Sequence, residues 1–274
     1  MKIRCKPLLG SYVEISIGQD DSDQDIDDAF TAIKQIQDLM SFHDPKSELN
    51  VINQIVHLEP VALHPWTAEV LKIAKDIYEQ SNGLFNCGIG HRLVAAGLLP
   101  CHMDLSIYQM SGIEDIRFID PQIIISSKPL CLDLGGIAKG FAVDKAVEIL
   151  QSNGVKSGCV NAGGDLRVFG SIPRSIHIRN PSQPTELINI GSLLNGAIAT
   201  SSLYFSKRDQ LQSHIINPFS QDTSEVHLHF SESYSILAKE CVYADALTKV
   251  LALSGEMDHP CLNHFGAKAI RLPV

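Results

Sequence analysis

Helix-length and strand-length apolar patterns follow one another along this chain without the strict β–α–β alternation of a doubly wound parallel sheet, and that order most constrains its fold. In "DIDDAFTAIKQIQDLMSF" the apolar residues Ile26, Phe30, Ile33, Ile36 and Met40 recur at three- and four-residue steps, the period of an amphipathic helix. The preceding "SYVEISI" predicts a strand, and the acidic segment between the two supplies Asp and Ser helix-start signals. A second helix is predicted from Pro65 to about Ser81, with proline at an early position. Short apolar stretches bounded by Gly, Asn, Ser or Pro then predict strands: "QIIIS", "GCVNAGGDLRVFG", "SIHIRN" and "NGAIATSS". Between the first two lies "LDLGGIAKGFAVDKAVEILQSNGV", helical in spacing at Phe141, Val143, Val147 and Leu150. The last third offers "SHIINPF", "EVHLHF", "SYSILA", a helix around Asp245 and a final "AKAIRLPV" strand. No period of repeats and no low-complexity linker is evident. The expectation is an α+β fold.

With 274 residues, 45% hydrophobic and 19% charged, the chain has enough apolar material for a large core. A net charge of −9, with six aspartates between Asp20 and Asp28, argues against a nucleic-acid-binding surface. The seven cysteines are scattered and never spaced as CxxC, which suggests neither a disulfide framework nor a zinc knuckle and fits a reducing compartment. The first residues lack the apolar run of a signal peptide, and no stretch approaches the length of a membrane span. A cytoplasmic location is expected.

Several stretches have the makings of chemistry. In "YADALTKV", Asp245, Thr248 and Lys249 fall at i, i+3 and i+4 of a largely apolar helix, a spacing at which side chains meet. They form either a buried ion pair or part of a site. "LGGIAKG" reads as a strand entering a helix, either a plain glycine turn or a place where backbone N–H groups and the helix dipole meet phosphate, with Lys139 adding charge. It is not a Walker loop. "NAGGDLRVFG" sets Asp165 after two glycines, as a ligand carboxylate or as a solvated residue of a turn or bulge. His214 in "SHIINP" is either a general base or a structural histidine. "SFHDPKSELNVIN" mixes Ser41, His43, Asp44 and Glu48 in metal-like spacing, or is a capped helix entry with Ser47 as the cap. His227 and His229 alternate along a predicted strand without a third ligand nearby, and Ser201 and Ser202 lack a nucleophile elbow.

No one of these stretches decides function, but their order resembles one family. "LGSYVEISI", "MSFHDPKSELNVIN", "GLFNCGIG", "LDLGGIAKGFAVDKAVEIL", "VNAGGDLRVFG", "IATSS", "SHIINP" and "ADALTKVLALSG" are similar to the successive signatures of the ApbE family, the FAD:protein FMN transferases. The likeness runs from about residue 8 to residue 255 and implies one ApbE-like domain over residues 1–274. The implied architecture is T-fold-like α+β, with mixed or antiparallel sheets flanked by helices.

The resemblance implies binding of FAD and cleavage of its pyrophosphate. A Ser or Thr hydroxyl of a target flavoprotein attacks the FMN phosphorus, FMN is esterified to protein, and AMP leaves. The implied flavin-site residues are Met40, Phe85, Asn86, Asp133, Lys139 and Asp165, with His214 activating the acceptor hydroxyl. The family's Mg²⁺ ligands correspond to the Gly136 carbonyl, Asp245 and a threonine four residues later. This chain departs there, because Lys249 stands at that threonine's position and Thr248 is one residue early. It departs also at Asn86, where the family has aspartate, and at Asn217 in "SHIINP". An ammonium cannot ligate Mg²⁺, so Lys249 is expected to take the metal's place, pairing with Asp245 and offering a fixed positive charge to the flavin phosphates. The alternatives are a non-catalytic FAD-binding relative and an FAD pyrophosphate hydrolase.

Overall fold

The computed structural model describes residues 1–102, 104–108, 111–180, 183, 185–202, 215–219 and 233–272. The predicted "SYVEISI" strand is β2 (Ser11–Ile17), preceded by β1 (Lys2–Leu8), which the patterning did not suggest. Pro7 obscures β1 in the sequence, and the structure accommodates it because β1 is the edge strand of its sheet. The first amphipathic helix is α1 (Asp23–Met40), where Ser22 Oγ accepts from Gln24 N–H at 3.1 Å and the Asp25 carboxylate accepts from Ser22 N–H at 3.0 Å. Next come α2 (Glu48–Ile55), β3 (Val61–Ala62), α3 (Pro65–Gln80), α4 (Gly90–Ala95), β4 (Ile116–Asp120) and β5 (Ile123–Ser126). The chain continues through α5 (Ala138–Ser152), β6 (Gly158–Ala162), β7 (Asp165–Phe169), β8 (Arg174–Arg179) and β9 (Leu187–Leu193). It closes with β10 (Gly196–Ser202), β11 (Ser233–Ala238), α6 (Cys241–Ser254), α7 (Pro260–His264) and β12 (Lys268–Leu272).

Seven strands form one sheet in the order β1-β2-β6-β7-β10-β11-β12, and every neighbouring pair in it is antiparallel. The fold is therefore α+β with antiparallel sheets. A three-stranded sheet β3-β5-β4 and the hairpin β8-β9 complete it, again with antiparallel pairs.

"GCVNAGGDLRVFG" is two strands, not one. Gly163 and Gly164 both take positive φ, 66° and 107°, which turns β6 directly into β7 with Ala162 opposite Asp165. "LDLGGIAKG" is likewise not a strand entering a helix, since residues 127–137 have no strand. They run as an irregular segment pinned by Asp133 N–H donating to the Cys87 carbonyl at 2.8 Å. "SHIINPF" contributes Ile215–Phe219 without a strand, whereas His214 and "EVHLHF" with His227 and His229 lie outside the described residues.

α5 packs between α1 and α6 and against β6 and β7, and α6 lies on β10 and β11. Both helices are therefore buried on most sides. Gly140 permits their contact: a Cβ there would stand 2.3 Å from the Cys241 carbonyl oxygen and 2.8 Å from Asp245 Cβ. α5 also supplies the cap that α6 lacks. Glu240 makes no side-chain cap bond, and the Asp144 carboxylate instead accepts from Cys241 N–H at 2.9 Å and Val242 N–H at 2.8 Å. The same carboxylate accepts from Arg167 at 2.7 Å. Burial nevertheless raises the Asp144 carboxyl to about 6, against the opposing pull of Arg167 and the two amides.

Candidate active site

A cavity of about 850 Å³ opens where the end of α1, the loop after it, residues 84–87 and the 133–139 segment meet β10 and α6. That volume lies at the upper end of the roughly 300–1,000 Å³ of small-molecule and cofactor sites. Its wall includes Met40, Phe42, Phe85 and Ile215, all largely buried, together with Lys139 and Lys249. Among the positions singled out by the sequence, Met40, Ser41, Phe85, Asn86, Asp133, Gly136, Lys139, Ser201 and Lys249 share this wall. His43 joins them, and Asp165 and Asp245 stand behind, paired with Lys139 and Lys249.

The elements that place these side chains are local and specific. α1 ends at Met40, and the following loop is closed by Asn50, whose amide donates to the Phe42 carbonyl at 2.9 Å and the Asp44 carbonyl at 2.7 Å. Of the two readings of "SFHDPKSELNVIN", the structure selects the capped helix entry. Ser47 Oγ accepts from Asn50 N–H at 3.2 Å, while Asp44 and Glu48 accept from the backbone N–H groups of Lys46 and His64. Asn86 is committed on both sides of its amide. Its oxygen accepts from Gly88 N–H at 2.8 Å and Ile113 N–H at 3.1 Å, and its nitrogen donates to the Glu114 carboxylate at 3.2 Å. An aspartate at 86 would set two carboxylates against each other, which is a physical reason for this departure from the family pattern.

The polar floor is an array of two amines and two carboxylates. Lys139, from the first turn of α5, pairs with Asp165, the first residue of β7. Asp165 is thus buried and ion-paired, not the solvated turn residue that its glycine setting allowed. Lys249 pairs with Asp245 one turn earlier on α6 and donates also to the Asp245 carbonyl at 2.9 Å. The second carboxylate oxygen of Asp245 accepts from Gly140 N–H at 3.0 Å. The glycine that brings the helices together therefore also holds this carboxylate, a function that "LGGIAKG" read as a ligand turn does not reveal.

Exposure sorts the array. The side chains of Asp245 and Asp165 are 1% and 5% exposed, against 20% for Lys249 and 33% for Lys139. The amines face the cavity and their counter-charges lie behind them. Burial disfavours the charge on Asp245, but Lys139 and Lys249 outweigh it and hold the carboxyl below its usual range. Burial and the neighbouring Asp245 charge push Asp165 up. Lys139 would be lowered by burial alone, yet Asp245 and Asp165 hold it above its ordinary value, fully protonated. At the cavity wall, burial pushes Asp133 up to about 6, opposed by its bond from Gly135 N–H and by His43 and Lys249.

The donors beside Gly136 do not fit Mg²⁺. Each oxygen of Asp245 already accepts from nitrogen, and the Lys249 ammonium beside it is positive and has no lone pair to offer a cation. The Thr248 hydroxyl donates to the Asp245 carbonyl at 2.7 Å and lies 2.7 Å from the Ser201 hydroxyl. Among the described residues, no cluster of three or more His, Cys, Asp or Glu is arranged to hold a metal ion.

The family model described as the ApbE family matches residues 9–265. A Vibrio cholerae protein named FAD:protein FMN transferase is 30% identical over 244 residues, covering 82% of this chain and 71% of that protein. The solved structure of the flavin transferase ApbE from Vibrio cholerae superposes with a TM-score of 0.79 at 25% identity, covering 99% of this chain and 93% of that one. Pseudomonas stutzeri flavinyl transferase ApbE, at 20% identity, shares the fold with a TM-score of 0.82 over 100% of this chain and 91% of its own.

Proposed function

The chain belongs to the ApbE family, and on that premise we propose that it is an FAD:protein FMN transferase acting as a single domain over residues 1–274. The observation that carries this reading is a cavity whose wall joins buried apolar side chains to two ammonium groups with their carboxylates set behind them. FAD is amphipathic in the same way, with a flat apolar ring system and a charged pyrophosphate. Met40 and Phe85 serve the ring, Asn86 shapes the loop beside it, and Asp133 supplies a polar contact at the wall. Lys139, held by Asp165, meets the phosphates.

The reaction joins an acceptor Ser or Thr oxygen to the FMN phosphorus and breaks the bond from that phosphorus to the bridging oxygen. The bridging oxygen leaves with its electron pair on AMP. His214, next in the chain to the cavity-lining Ile215, takes the hydroxyl proton. The acceptor is a target flavoprotein, and a cytoplasm-facing one is the acceptor we propose, since the scattered cysteines fit a reducing compartment. The relatives are named for transfer, which favours it over FAD binding alone or pyrophosphate hydrolysis.

The test is incubation of the purified chain with FAD and a candidate flavoprotein from the same cell. Transfer gives AMP and a covalently fluorescent acceptor in equal amounts, and His214→Ala abolishes both while keeping FAD bound. AMP without a labelled acceptor would replace transfer by hydrolysis. FAD bound but left intact under every metal condition would overturn the enzymatic reading.

A further inference from the structure

We propose that the Lys249 ammonium is the built-in cation of this site, binding the pyrophosphate directly and making FMN transfer independent of a divalent metal. The proposal rests on the transferase reading above and specifies how its charge is met. An ammonium has three N–H donors. Among the described residues, two go to the carboxylate and the carbonyl of Asp245, and Lys249 lines the cavity, where the third can meet a ligand.

The amine is held in place by its own stem. A Cβ on Gly136 would meet Lys249 Cε at 3.6 Å, so the side chain runs alongside the Gly135–Gly136 backbone, the segment that leads into Lys139. Two single positive charges, Lys249 and Lys139, thus stand at one cavity wall. Neither depends on a bound ion.

The reaction needs charge at this place. As the acceptor oxygen bonds to phosphorus and the bridge bond breaks, the electron pair moves onto the bridging oxygen and AMP leaves with more negative charge than it carried within FAD. The hydroxyl proton departs through the base to solvent, which balances the charge. A lysine donating to a phosphate oxygen stabilises that developing charge. Mg²⁺ is excluded from the same place, because the ammonium both lacks a lone pair and repels it.

The test measures binding of FAD, binding of riboflavin, which has no phosphate, and AMP release in the acceptor assay, each in EDTA and in MgCl₂. Wild-type FAD affinity and AMP release are expected to change less than about twofold between the two conditions, and calorimetric titration with MgCl₂ alone to give no binding heat. Lys249→Gln is expected to weaken FAD by about tenfold or more, the scale of one charge-assisted hydrogen bond. Its riboflavin affinity stays within about twofold of wild type, which also reports that the cavity has folded. Lys249→Thr places an oxygen at the position of the family's threonine and is expected to make FAD binding Mg²⁺-dependent. Wild-type AMP release that stops in EDTA and returns with MgCl₂ would overturn this proposal while leaving the transferase reading intact. Equal loss of FAD and riboflavin in Lys249→Gln would overturn it too, by making Lys249 structural. Failure of the wild type to bind FAD in either condition would instead overturn the transferase reading.

Discussion

Replacing Gly140 by alanine tests whether the contact between α5 and α6 builds the site. The added Cβ would lie 2.3 Å from the Cys241 carbonyl oxygen, 2.7 Å from its carbon and 2.8 Å from Asp245 Cβ. Carbon and oxygen in contact sit at roughly 3.3 Å, so the helices must separate by about 1 Å. The obstacles are backbone atoms and a Cβ, which no rotamer change can move aside. Overpacking of this kind costs about 1–3 kcal/mol and occasionally more, while alanine regains about 1 kcal/mol of helix propensity over glycine. With the clash at the upper end of that range, the net loss is about 1–3 kcal/mol, a fall of about 3–10 °C in thermal midpoint for a chain of this size. The same movement lengthens the 3.0 Å bond from Gly140 N–H to Asp245 and loosens the lysine array, so FAD affinity falls as well. Gly136→Ala is the matched control, since its Cβ would meet nothing closer than 3.6 Å. Its midpoint should stay within about 2 °C of wild type. Thermal unfolding followed by circular dichroism, with an FAD titration of each folded variant, measures both. A Gly140→Ala midpoint equal to or above that of wild type would refute the reasoning, because propensity would then outweigh the contact.

Asp144→Ala removes the trans cap of α6 and the partner of Arg167 together. Losing one side of such a buried pair costs about 3–5 kcal/mol, to be measured as a drop in the urea unfolding midpoint, and a loss under about 1 kcal/mol would show the cap to be dispensable. The Asp133 carboxyl is raised by burial from 3.8 to about 6 in the folded chain, so folding takes up a proton between those values. The stability this group contributes is complete below the unfolded value and is lost as pH rises through about 6, on the order of 3 kcal/mol at about 1.36 kcal/mol per unit. Asp133→Asn should therefore gain on wild type by that amount from about pH 4 to pH 7 in parallel melts, and a pH-independent difference would contradict it. Ser47→Ala deletes the 3.2 Å cap bond of α2 and should cost about 1 kcal/mol by chemical denaturation, with no change meaning that the loop is held by Asn50 alone.

Where the sequence was legible, one physical signal dominated. The apolar period of α1 and the bounded apolar runs of β2 and β10 state their structure locally, because α1 buries one face along its length and β10, buried from Gly196 to Ala199, reads as a short continuous apolar run. β1 was hidden by Pro7, whose cost depends on being an edge strand, and that is known only once the sheet is assembled. The β6-β7 turn was visible as two glycines but not as a hairpin, since a pair of glycines serves equally as a bulge. Asp144 gave no signal at all. A carboxylate that caps another helix is indistinguishable in sequence from one on a solvated face.

The chain by itself determined the α+β class and the order of its main elements, because periodicity is a local property, whereas the flavin-site residues came from the resemblance of its motifs to one family. It also marked Lys249 as the anomaly beside Asp245, since an i, i+4 pair on a helix needs no distant element to meet. Only the tertiary structure decided that Lys139 and Lys249 present their amines to one cavity while Asp165 and Asp245 stay behind them. That sorting comes from α5, α6 and β7, elements far apart in the chain, closing on one another at Gly140, and burial depth is a property of the assembled packing that no single segment carries.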